Sequence, residues 1–170
     1  MAKTSGGAGR YKGVRNVGGL SVNTTPNDYE KQRTKEEISQ LYAAVRGTGT
    51  YDETRASLMK SAADSSQGEK IIVRDASGRV VAVTSYRQAG TNGNYLYVGL
   101  LGSRGSGGGT AIMRTLFDKV VKGNMDGLGL SALDLARPFY HKMGLYSTYT
   151  YGGNMGISRA EIVDQLRRMK

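Results

Sequence analysis

The stretch Leu101-Gly102-Ser103-Arg104-Gly105-Ser106-Gly107-Gly108-Gly109-Thr110 joins a strand-like run to a helix-like one. Tyr95 to Leu101 precedes it, and Thr110 to about Lys122 follows with Ile112, Met113, Leu116, Phe117 and Val120 on one face. Glycines let main-chain N–H groups turn inward and approach a ligand closely. The helix behind them adds its unpaired N–H groups and the positive end of its dipole. Together they suit a pyrophosphate; a plain glycine-rich surface loop is the alternative. Gly102-x4-Gly107 has the spacing of a Walker A loop, but Gly108 stands where Lys is required. A dinucleotide-binding fingerprint needs a parallel strand opening a βαβ unit, whereas this loop follows a hairpin strand. Neither motif fits.

Upstream, the pattern is a meander. Lys70 to Arg74 reads as a strand, Asp75 to Gly78 as a turn and Arg79 to Gln88 as a second strand. Asn92-Gly93 predicts a tight hairpin, because both residues accept positive φ. Before the meander come two helices. The first has Thr34 as expected cap, Glu37 closing a capping box, and Ile38, Leu41, Tyr42 and Val45 on its apolar face. The second is expected over Asp52 to Ala63 with Leu58 and Met59 inward. Residues 1–21 mix glycines with Lys3, Arg10, Lys12 and Arg15 and read as a flexible basic arm ending in a weak first strand.

Downstream, Leu128 to Leu135 is expected to be a strand, Pro138 to start a short helix reaching Met143, and Leu145 to Tyr151 to form a further strand. Ser158 with Glu161 predicts a capped last helix. The division expected is an arm over 1–21, one domain over 22–157 and a terminal helix over 158–170. The fold class is α+β, with a mixed, mostly antiparallel twisted sheet flanked by helices.

Composition narrows the chemistry. The 170 residues carry 24 Lys and Arg against 14 Asp and Glu, a formal charge of +10. With no Cys there is no disulfide, thiolate metal site or cysteine nucleophile. A single histidine, His141, excludes a multi-His metal centre within one chain, and no metal is expected. No apolar run approaches a membrane span, so a soluble, cytoplasmic protein is expected. The positive charge favours an acidic partner: nucleic acid, a phosphorylated cofactor or an acidic protein face.

Arg104-Gly105-Ser106-Gly107-Gly108-Gly109 matches Arg-x-x-Gly-x-Gly and resembles the acetyl-CoA pyrophosphate loop of the GNAT N-acetyltransferase superfamily. Pro138-Phe139-Tyr140 followed by Gly144-Leu145 resembles that family's later segment, with Leu145 where Phe is usual. The likeness covers about residues 70–151. It implies a GNAT-like acetyltransferase domain that takes acetyl-CoA as co-substrate and acetylates an amine acceptor by direct attack. It places Tyr140 as general acid toward the CoA sulfur; aromatic packing is the competing reading of that side chain. Gly99 would sit at the bulge that splays two strands, so that main-chain N–H groups of Val98, Gly99, Leu100 and Leu101 hold the thioester oxygen and pantetheine arm. Arg104, Gly105, Ser106, Gly107, Gly108, Gly109 and Thr110 would hold the pyrophosphate. Many relatives carry a Glu on the strand before the loop, but Tyr95 to Leu101 has no carboxylate; Asp134 is the expected substitute base. Glu36 and Glu37 read as a solvated face, and His141 as a surface residue. Two other functions stay open: a non-catalytic GNAT-fold component of an oligomer or larger assembly, and nucleic-acid binding through the arm.

Overall fold

The computed structural model describes residues 13–105 and 107–169. Its eight strands hydrogen-bond in the order β1-β2-β3-β4-β5-β6-β8-β7. The sheet is mixed and mostly antiparallel, with five α-helices among the described residues, so the α+β class holds. Internal contacts gather into two compact units. One comprises the described residues up to Ser85 with Leu100–Ile112; the other comprises Tyr86–Gly99 with the chain from Met113 onward.

The first unit opens on a hairpin of β1 (Val14–Val17) and β2 (Leu20–Asn23). Gly18 and Gly19 both take positive φ, 56° and 82°, which a tight antiparallel turn with the strand's own twist requires. β2 pairs antiparallel with β3 (Glu69–Arg74), Val22 opposite Val73, and both side chains are buried. The part of the expected arm beyond Lys12 is therefore sheet, while residues 1–12 lie outside the described residues.

Helix α1 spans Asp28–Val45 and is capped by Asn27, whose side chain accepts from the Glu30 N–H. Thr34, the expected cap, is instead buried in mid-helix and accepts from Arg74 Nη2 at 3.1 Å. Glu37 is no solvated residue either. It pairs with Arg74 at 2.9 Å and accepts from the Val80 N–H at 2.7 Å, tying α1 to the turn between β3 and β4 (Val80–Ala89). Thr50 caps α2 (Tyr51–Asp64). The Glu53 carboxylate accepts from the N–H groups of Gly47 and Gly49, which lower its pKa and fix the loop between the helices. Ile38, Met59, Ala62, Ala63, Ile72, Val80 and Val83 form this unit's core.

The second unit holds the start of β5 (Tyr95–Ser103), most of α3 (Gly108–Lys122), β6 (Gly127–Leu130), α4 (Arg137–Lys142), β7 (Tyr146–Ser147), β8 (Met155–Ser158) and α5 (Arg159–Arg168). Leu116, Phe117, Val120, Leu128, Met155, Ile157 and Ile162 are fully or almost fully buried in it. A Cβ on Gly127, Gly129 or Gly156 would strike Tyr151, so these strand glycines exist to let that residue lie against the sheet.

Three expectations change here. The strand expected to reach Leu135 stops at Leu130, and Asp134–Ala136 is a 3-10 turn. The Asn154 amide donates to the Ala132 carbonyl and accepts from the Ala132 N–H, which takes that residue's backbone out of any ladder. The strand expected over Leu145 to Tyr151 shrinks to two residues, and β8, unexpected from sequence, supplies the pairing with β6. At the Asn92-Gly93 turn only Gly93 has positive φ, joined by Gly90, because the connection runs over five residues rather than two. The capping box of Ser158 and Glu161 forms as expected, and Pro138 sits in the first turn of α4.

Candidate functional site

In the first unit, the glycine loop leaves the end of β5 and enters α3. The Arg104 N–H donates to the Val81 carbonyl at 2.8 Å, anchoring the loop to β4. Gly105 and Gly107 both have φ of 87°, a conformation in which any side chain would be strained. Ser106 lies outside the described residues. The Gly107 carbonyl accepts from the Ala111 N–H at 2.9 Å and starts the helix. The N–H groups of Gly108, Gly109 and Thr110 therefore sit in the first turn, where no intrahelical acceptor exists. Gly107 and Thr110 are exposed, whereas Gly108 and Gly109 are buried. A Cβ on Gly108 would come within 2.9 Å of the Ala82 Cβ, so the helix start is pressed onto β4.

Beside the loop is a cleft of about 440 Å³ lined by Leu20, Val81, Gly105, two aspartates, Asp52 and Asp75, and three arginines, Arg55, Arg79 and Arg104. Arg79 pairs with Asp75 at 3.3 Å; Arg55 lies 4.0 Å over the Tyr51 ring and 3.9 Å from Asp52. Ser77 and Arg79 donate to Asp75 and pull its pKa down to about 2. Arg104 alone of the three makes no side-chain bond to a described residue. Arg55 and Arg79 were not readable as site residues: they lie about 50 and 25 positions from Arg104, and only folding assembles the three. Leu101, half-buried, belongs to the same part of β5, and the Leu100 carbonyl accepts from Thr84 Oγ1 at 2.6 Å, on the β4 side.

In the second unit, β5 runs parallel to β6 from Tyr95 opposite Gly127 to Val98 opposite Leu130. The pairing ends there, one residue before the exposed Gly99. Val98 points into the core. Tyr97, which sequence reasoning overlooked, hydrogen-bonds Ser131 through its hydroxyl at 3.1 Å and lies under Arg87, 5.2 Å from the ring. Alternation along a half-buried strand was its one available signal.

Tyr140 lies on α4, only 7% exposed, with its ring edge-on to Phe139 at 5.1 Å. Burial lifts its phenol to about 12, so it stays neutral through the physiological range. Its hydroxyl makes no hydrogen bond to another described residue. Its carbonyl is used: it accepts from the N–H groups of Met143 and Leu145. The structure thus gives a neutral phenol with an unused proton. Asp134 is exposed in its 3-10 turn, not at a strand end, and His141 is exposed on α4. No cluster of three or more His, Cys, Asp or Glu side chains suited to a metal occurs among the described residues.

No family model and no curated protein matches the sequence. Solved structures do match. A GCN5-related N-acetyltransferase from Brucella melitensis overlays with a TM-score of 0.57 at 12% identity, covering 91% of this chain and 82% of that one. A GNAT-family acetyltransferase from Listeria monocytogenes gives 0.56 at 9% identity, over 85% and 99% of the two chains. The catalytic domain of the Tetrahymena GCN5 histone acetyltransferase, in complex with coenzyme A, gives 0.52 at 16% identity over 84% and 93%. Strand order, the loop between β5 and α3 and these overlays agree that the chain has the GNAT acetyltransferase fold.

Proposed function

We propose that this protein is an acetyl-CoA-dependent N-acetyltransferase that acetylates an amine. The observation that carries the reading is the glycine turn between β5 and α3, whose helix presents unpaired N–H groups beside a cleft with three arginines. One structure of the same fold is a histone acetyltransferase holding coenzyme A, which supports the choice of co-substrate.

Each residue then has a task. N–H groups from Arg104-Gly105-Ser106-Gly107-Gly108-Gly109-Thr110 receive the pyrophosphate, and the Arg55, Arg79 and Arg104 side chains balance phosphate charge. Main-chain groups of Val98, Gly99, Leu100 and Leu101 hold the pantetheine arm and polarise the thioester oxygen. The acceptor ammonium first loses a proton, with Asp134, the exposed carboxylate ahead of α4, as the base. The neutral nitrogen attacks the thioester carbon, the C–N bond forms and the C–S bond breaks; the thiolate takes the Tyr140 proton, and the surplus proton of the acylated nitrogen restores the Tyr140 phenol. Products are the amide and free CoA thiol.

A phenol near 12 is a reluctant donor to a thiolate whose own reference pKa is about 8.5. Tyr140 therefore contributes mainly by hydrogen-bonding the sulfur as charge develops, so its removal belongs at the low end of the general-acid range. The test is thiol release from acetyl-CoA against a panel of small, peptide and nucleic-acid-linked amines. Acceptor-dependent release supports the reading; none across the panel, with acetyl-CoA bound, favours a non-catalytic GNAT-fold component. The absence of a carboxylate from Tyr95 to Leu101 motivates that second reading.

A further inference from the structure

We propose that the first unit carries a separate binding site for a phosphate group, in the cavity where Lys31, Lys35 and Lys70 converge. The cavity measures about 200 Å³ and shares no residue with the glycine loop or with the arginine cleft. Lys31 and Lys35 stand one turn apart on α1 and so project from one helix face. Lys70 enters from β3 and is only 7% exposed. The loop after α2 closes the cavity with Ser65 and Ser66, and Ile72 and Val83 give it an apolar wall.

Its charge is unbalanced. No carboxylate lines the cavity, and neither Lys31 nor Lys35 has an ion pair with a described residue. The acid that acts on Lys70 is Asp64, which is already engaged by Lys60 at 2.5 Å. The Lys70 ammonium donates to the Ser65 carbonyl, which fixes its position and leaves its charge uncancelled. Burial, then Lys35 and Lys31, lower the pKa of Lys70, as expected for cations crowded without a counter-ion. Such an arrangement is repulsive when empty and is relieved by an anion.

The chemistry selects among anions. Three ammonium groups reaching one cavity from a helix and a strand match a tetrahedral, doubly charged oxyanion better than a planar carboxylate, which offers two oxygens and one charge. The Ser66 hydroxyl has no partner among the described residues and adds a neutral donor. The volume matches one phosphate with a few waters. The ligand is thus free phosphate or the phosphate end of a small phosphorylated molecule. This inference does not depend on acetyl transfer.

The experiment is calorimetric titration of the full chain with inorganic phosphate and with glycerol 3-phosphate, in chloride at matched ionic strength. Lys31→Gln with Lys35→Gln removes two cations from a helix surface, and Lys70→Met replaces the buried one with an apolar side chain of similar length. Saturable binding to the wild type, weakened at least tenfold in either variant with acetyl-CoA affinity unchanged, is the expected result. Tighter binding of inorganic phosphate identifies free phosphate as the ligand; tighter glycerol 3-phosphate identifies a phosphomonoester. The double variant in chloride is also expected to melt no lower than wild type, since repulsion has been removed. Equal phosphate affinity in wild type and the double variant would overturn the proposal, as would a wild-type response that chloride reproduces.

Discussion

Tyr140 concentrates the chemical argument in a single side chain. Its phenol is raised to about 12 by burial and bonds no other described residue. Replacing it with Phe keeps the edge-on packing against Phe139 and removes one proton and one oxygen. Turnover is expected to fall about 100-fold, with acetyl-CoA affinity retained. Because the phenol does not ionise below pH 9, the loss should be the same from pH 6 to 9. A pH-rate comparison of the two proteins checks this; a loss confined to one arm of the profile would assign the titration elsewhere. The same shift predicts alkaline behaviour. A folded pKa above the unfolded value of about 10 means that the folded state holds its proton longer. The stability this confers is complete below pH 10 and is lost as pH rises through 12, amounting to about 3 kcal/mol. Tyr140→Phe should therefore flatten the decline of stability between pH 10 and 12, measured by denaturant unfolding.

Elements show where sequence reading succeeds and where it fails. The glycine loop, the Ser158–Glu161 capping box and Pro138 at the start of α4 are local devices, legible because the residues that act are within six positions of one another. Ser158→Ala should cost about 1 kcal/mol of stability in thermal unfolding. The misplaced cap of α1 shows the opposite case. Thr34 has the right spacing to Glu37, but Arg74, 40 residues on, holds both in mid-helix, and Asn27 takes the capping role. Asn27→Ala is thus expected to cost about 1 kcal/mol through the lost cap, whereas Thr34→Ala acts by freeing Arg74. The end of β6 was illegible for a similar reason: Asn154 bonds Ala132 from 22 residues away. Close approach leaves a clearer mark. A Cβ on Gly102 would lie 2.3 Å from the Met59 backbone nitrogen, so β5 can rest on α2 only without a side chain there. Gly102→Ala should destabilise by about 3 kcal/mol, and a substitution within 0.5 kcal/mol of wild type would refute that packing.

At the scale of the whole molecule, the charge of +10 suits acidic ligands. Nucleic-acid binding through the N-terminal arm has a defined test. The deletion must stop at Lys12, because Val14–Val17 and Leu20–Asn23 are paired strands whose removal would expose Val73. If the arm binds nucleic acid, a chain beginning at Gly13 loses that binding, and unchanged affinity ends the idea. The central claim, that the glycine turn holds acetyl-CoA, is tested most directly by calorimetry on the wild type and Thr110→Glu. Gly107 is unsuitable for the substitution because its φ of 87° would strain any side chain. Thr110 is exposed in the first turn of α3, where a glutamate suits the helix and sets a negative charge against the pyrophosphate. The account predicts saturable acetyl-CoA binding by the wild type, weakened at least tenfold in Thr110→Glu at unchanged melting temperature. Equal affinity in the two proteins, or no binding by the wild type, would contradict it.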